Sequence, residues 1–293
     1  MEDEGLSVMV LDGELLPWRA MGAGLIERQF KTIERGLGLE LDFLAQHGFD
    51  DALNKLVEEY EVSGFKQEQF KLSKSVLNEK YGSASYQTYK HVSEITERHI
   101  PVAEQQVAYE VYKKQLELYA PDMTETELHY KPFSILKFIY QDGSERLPDW
   151  TTSRMYSFLT DDEFIILDLQ DEVSYTRAAQ YFNTLTTTKS MEGVVIKPEY
   201  ISEGVVPYMK VRNSDYLTIV YGYDYRFPHK YKKLFKQKSI HRKLKTSLNE
   251  YVLGQQMLGI KLADISPDNE MYKGIAANLL FEVASEKEID PRL

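Results

Sequence analysis

Hydrophobic positions along the chain follow two periods, and the changes between them divide it. Ser7-Val-Met-Val-Leu11 is a short apolar run followed by Asp12-Gly13, the pattern of a buried strand entering a turn. From about Gly22 to Pro121 the period lengthens to that of a helix. Leu53, Leu56, Val57 and Tyr60 fall on one face, as do Val107, Val111, Gln115 and Leu118. Strand patterns then return. Phe133–Tyr140 precedes the turn pair Asp142-Gly143, and Phe164–Leu169 is a second apolar run. Tyr175–Leu185 reads as a short helix. Val194–Ile196 and Pro207–Tyr221 are rich in β-branched and aromatic residues and read as strands. Ser239–Leu262 and Glu270–Ala284 are helical again. The pattern predicts an α+β fold: a mixed sheet interrupted early by helices and followed by more helices.

Composition narrows the class. A chain of 293 residues, 43% hydrophobic and 28% charged, can bury a core without staples, and it has no cysteine to make one. Disulfides, thiolate metal sites and cysteine nucleophiles are therefore excluded. Met1-Glu2-Asp3-Glu4-Gly5 lacks the basic and apolar regions of a signal peptide, and no apolar run is long enough to span a bilayer. A soluble, cytoplasmic protein with no membrane partner is the expectation. Net charge is −11, which argues against nucleic acid, yet eight lysines and arginines and no acid lie between Lys230 and Lys245. Within this run, Lys238, His241, Arg242 and Lys243 could contact phosphates. They could equally form a solvated helix face.

Three segments place charged groups at strand ends among apolar residues: Leu11-Asp-Gly-Glu-Leu15, Met191-Glu-Gly-Val-Val-Ile-Lys-Pro198 and Met209-Lys-Val-Arg212. Lysines neutralise phosphate oxygens, and carboxylates hold magnesium through its water shell. Each segment alone is a weak signal, because Asp-Gly and Glu-Gly pairs are usually turns and a strand-end lysine can snorkel to solvent.

Order and spacing strengthen them. Together the segments resemble motifs III, IV and V of the covalent nucleotidyltransferases, the superfamily of DNA ligases, RNA ligases and capping enzymes. Asp12–Ala20, Glu192–Pro198, and Lys210-Val-Arg212 with Asp215–Gly222 resemble the ligase module of bacterial polynucleotide kinase-phosphatases. Glu288–Leu293 resembles that family's C-terminal ending. The resemblance implies a mixed or antiparallel nucleotidyltransferase core, unrelated to ATP-grasp, whose motif III starts in residues 1–21. A helical insertion would occupy 22–128, the rest of the core 129–228, and a helical segment 229–293. It implies ATP as cofactor with Mg2+ (or Mn2+). Glu14 matches the motif III acid near the ribose, and Glu192 the motif IV acid that holds hydrated magnesium. Lys197 and Lys210 match the lysines that contact ATP phosphates, with Arg212 assisting. Phe133, in Lys131-Pro-Phe-Ser-Ile-Leu136, resembles the aromatic that stacks on adenine, and as a residue it reads equally as strand core. The family's partners would be RNA 5′-phosphate and 3′-hydroxyl ends, preceding kinase and phosphatase modules, and a ribose 2′-O-methyltransferase.

Such ligases attack ATP with a lysine of a Lys-x-x-Gly motif ahead of motif III. No lysine precedes Asp12. Lys80-Tyr81-Gly82-Ser83 is one residue too short and reads as a helix closed by glycine. The expectation is a ligase module, truncated and incomplete alone, with a non-catalytic nucleotide- or RNA-binding remnant as the alternative.

Overall fold

The structure, a computed structural model, describes residues 5–16, 26–96, 98–118, 129–200, 208–236 and 240–285. It divides into two compact units. One comprises residues 1–25, 119–217 and 237–293, and the other residues 26–118 and 218–236. The architecture is α+β, with small antiparallel sheets and many helices.

The first unit is built on β1 (Leu6–Leu16), β2 (His129–Tyr140) and β3 (Glu145–Arg146), an antiparallel sheet in that order. Asp12-Gly13 does not end β1, as its turn-like composition predicts. The strand runs on to Leu16 through an irregularity between Asp12 and Gly13. Gly13 is needed there, since a Cβ would come within 2.6 Å of both the Lys131 carbonyl oxygen and the Tyr130 ring. Alternation buries Leu6, Ile135 and Phe138 together with Met155 of helix α7 (Thr152–Leu159). Trp150, Leu159 and Met9 close the cluster. Buried Lys137 donates to the Ile260 carbonyl at 2.6 Å and pairs with Glu145 at 2.5 Å. Glu145 in turn accepts from the Leu262 N–H, so one ion pair ties the sheet to the chain beyond the long C-terminal helix.

A second sheet pairs β4 (Gly193–Ile196) with β5 (Met209–Arg212), antiparallel, with Gly193 opposite Arg212 and Val195 opposite Lys210. The strand expected over Pro207–Tyr221 is therefore shorter. Asn213 ends it: its side-chain oxygen accepts from the Asp215 N–H at 3.1 Å, and its carbonyl accepts from Leu217. A short helix, Leu217–Tyr221, follows. The run Phe164–Leu169 is not a strand either. The Glu163 carbonyl takes the Tyr181 hydroxyl and the Asp168 N–H goes to Ser174 Oγ, so side chains from helix α8 (Glu172–Asn183) replace a ladder.

In the second unit, Phe65 is 1% exposed and ringed by Tyr60, Tyr81, Tyr86 and Tyr89. Tyr60, Leu77 and Val92 complete this core, with Leu56 and Val57 against it. The face of Val102–Glu117 that packs inward carries Val102, Tyr112 and Leu116. Val107, expected on it, is exposed, because the broad tyrosine and leucine side chains bury more apolar area than a valine. Residues 218–236 group with these helices, and the Tyr223 hydroxyl donates to Gln105 at 3.1 Å.

Candidate functional site

The residues singled out by spacing lie in the first unit, on the two sheets and the loop that follows β4. Phe133 sits on β2 opposite the irregular stretch of β1. Lys197 follows directly on β4, and its ammonium lies over the Phe133 ring, 4.1 Å from the centroid. Burial pushes the Lys197 amine below the ordinary lysine range, and the nearby Asp12 carboxylate opposes that shift. Phe133 is thus not plain strand core: its face meets a cation. Asp12 joins the group although spacing singled out only Glu14; the signal was its place beside Glu14 in the first motif.

Glu14 lies on β1, exposed, opposite Lys131 of β2. Lys131 pairs with Asp162, and that contact holds the Asp162 carboxyl below the usual carboxylate range. Glu192 immediately precedes β4, and its carboxylate accepts from Arg212 Nη1 at 2.9 Å. Arg212 lies over the ring of buried Tyr216, with the centroid 4.9 Å away, and the Asn213 N–H donates to the Glu192 carbonyl. Gly193 makes this approach possible. Its φ is +152°, and a Cβ would lie 2.1 Å from the Val211 carbonyl oxygen. The register puts Lys210 opposite Val195 and Arg212 opposite Gly193, so both cations share one sheet face; Lys210 is exposed, over Tyr208.

The structure brings Asp12, Phe133 and Lys197 together, and separately Glu192 with Arg212. Glu14 instead lies opposite Lys131, and Lys210 lies over Tyr208. His241 and Arg242 are exposed on the helix Ile240–Gly259. Lys238, the Lys243 side chain, Pro17–Ala20 and Glu288–Leu293 lie outside the described residues. Among the described residues no three acids or histidines cluster as a metal site, and no helix is long and apolar enough to cross a membrane. Lys80 is excluded as a nucleophile by its surroundings. Its Nζ donates to Glu68 at 2.5 and 2.7 Å, which raises its pKa, and Gly82 at φ +81° closes its helix.

The fold is α+β, with lysines and acids at the ends of small antiparallel strands. The chain belongs to the family described as PNKP adenylyltransferase domain, ligase domain, whose model matches residues 1–285. Among solved structures it is similar to a chain of the Pnkp1/Rnl/Hen1 complex, at 26% identity and a TM-score of 0.80, covering 99% of this chain and 72% of that one. A chain of the Pnkp1/Rnl/Hen1 RNA repair complex matches over the same shares, at 26% identity and a TM-score of 0.77. No curated protein matches.

Proposed function

We propose that this chain is the nucleotide-handling part of an ATP-dependent RNA ligase of the bacterial polynucleotide kinase-phosphatase type. The observation that carries this reading is the Lys197 ammonium held 4.1 Å from the centroid of the Phe133 ring beside Asp12, in a member of the ligase family. An aromatic face next to a cation can take the adenine while the lysine meets the phosphates. Glu14 would bind the ribose, and Lys210 and Arg212 would draw negative charge off the phosphates. The reaction would run through lysine adenylylation, AMP transfer to an RNA 5′-phosphate, and attack by the 3′-hydroxyl with release of AMP.

Magnesium fits one position. Glu192 is a half-buried carboxylate that also accepts from Arg212, a donor suited to an ion that keeps most of its waters and shares a phosphate. Glu192 would hold it, and the ion would neutralise phosphate charge. Lys238, His241, Arg242 and Lys243 would meet the RNA backbone, and the partners would be RNA ends, kinase and phosphatase modules and a ribose 2′-O-methyltransferase. The alternative reading is a nucleotide- or RNA-binding remnant without chemistry.

Incubation with magnesium and labelled ATP, alone and with a polypeptide carrying the Lys-x-x-Gly segment, separates the two. An AMP adduct on the added polypeptide supports the ligase. ATP binding without an adduct in either mixture leaves the remnant. No ATP binding in either mixture overturns the ligase reading and leaves the remnant only as an RNA binder.

A further inference from the structure

The loop 197–199 that carries Lys197 is fastened at its far end to a helix of the first sheet. The Thr152 N–H donates to the Glu199 carbonyl at 2.9 Å, and the Thr152 hydroxyl to the Pro198 carbonyl at 2.6 Å. Ser153 donates twice to the Glu199 carboxylate, from its N–H at 3.3 Å and its hydroxyl at 2.5 Å. Thr151, the N-cap of α7, meets the Ser153 hydroxyl at 3.2 Å and accepts from the Arg154 N–H. Helix α7 is in turn seated on β2 through Met155, which packs with Ile135 and Phe138. Phe133 stands on the same strand, two residues before Ile135. The connections close a ring: β2 to Met155, Met155 to Thr152 and Ser153, these to Pro198 and Glu199, then Lys197, and back to the face of Phe133.

We propose that Glu199 is a positioning residue for Lys197, holding the loop against α7 so that the ammonium stays over the Phe133 ring. Two of its features argue against an incidental helix cap. Both carboxylate oxygens and the backbone carbonyl are used, so the loop is held in position and in orientation. The residues it joins lie 46 positions apart in sequence, and the bonds bring together a helix and a strand end that share no backbone ladder. Lys197 is attached to β4 on one side only; without the clamp, solvation of its amine would draw it into water. Burial pushes the Glu199 carboxyl upward, but the hydrogen bonds it accepts, led by those from Ser153, outweigh it and hold the group below the usual carboxylate range.

That the positioned lysine serves ATP rests on the proposed function; that it is positioned does not, and the test keeps the two apart. Competitive labelling with an amine reagent across a pH series, read for each lysine by mass spectrometry, gives the midpoint of Lys197 in the whole chain. ATP affinity with magnesium is measured in parallel. In Glu199→Ala the Lys197 midpoint rises by about half a pH unit or more, as the amine regains water, while the other lysines keep theirs. The Kd for ATP rises about threefold to tenfold. Ser153→Ala shifts the midpoint the same way but less, and Glu199→Gln, which keeps an acceptor, restores most of it. An unchanged Lys197 midpoint in folded Glu199→Ala and Ser153→Ala overturns the proposal. If Glu199→Ala does not fold, Ser153→Ala and Glu199→Gln decide it by the same midpoint. If the wild-type chain binds no ATP, the functional reading falls, and the midpoints still decide the positioning.

Discussion

Lys80 and Lys197 carry the same amine, and their two regions treat it in opposite ways. In the helical unit, Lys80 is exposed and its ammonium is held by both oxygens of Glu68, which Tyr81 also contacts; the hydrogen bonds favour the charged form and raise its pKa. In the sheet unit, Lys197 is half-buried, faces an aromatic ring, and has a carboxylate near but not bonded in place; burial lowers its pKa. The first arrangement uses up the charge within the protein. The second leaves it available to an incoming anion. Lys80-Tyr81-Gly82-Ser83 superficially looks like a nucleophile motif, yet its environment favours the charged form of its lysine over the free amine a nucleophile needs. A motif is a statement about spacing, and reactivity is set by solvation and partners.

The largest effect expected is on the helical unit's packing. Phe65→Ala removes a ring that is 1% exposed and should destabilise the chain by about 3–5 kcal/mol, read by urea denaturation. Gly193→Ala comes next. Its Cβ would strike the Val211 carbonyl, and a cost of about 2–4 kcal/mol, with loss of the β4–β5 pairing by hydrogen exchange, is expected. At the site itself, Lys197→Ala should raise the Kd for ATP about tenfold or more, whereas Lys80→Ala should leave it unchanged. Equal losses from the two would end the contrast drawn between them. The pH dependence runs in a stated direction. A lowered pKa means that Lys197 loses its proton first as pH rises, so it should label at lower pH than Lys80, whose raised pKa keeps it protonated longer. The smallest effect is Glu68→Gln, which should bring Lys80 labelling down to lower pH with little change in Tm, since the pair is exposed.

Much of the site was legible because its residues occur in short contiguous runs whose chemistry is local. Phe133 and Lys197 were both named from their motifs, and the structure places one on the other. Asp12 was hidden by its glycine: Asp-Gly reads as a turn, and only the crowded β1–β2 contact explains why glycine is needed inside a strand. Thr152, Ser153 and Glu199 carried no signal, because hydroxyls and a carboxylate separated by 46 residues form no pattern until the fold joins them. Strand expectations failed where side chains took over backbone hydrogen bonding, at Asn213 and around Glu163 and Asp168.

By itself the sequence determined the α+β class, the helical block and the order of the acid and lysine motifs. Those follow from periodicity and residue type, which are properties of neighbours along the chain. Only the tertiary structure decided which lysine loses water and which is neutralised, and what holds Lys197 in place. Burial and partnering depend on residues distant in sequence, and they move the amine's protonation in opposite directions at Lys197 and Lys80.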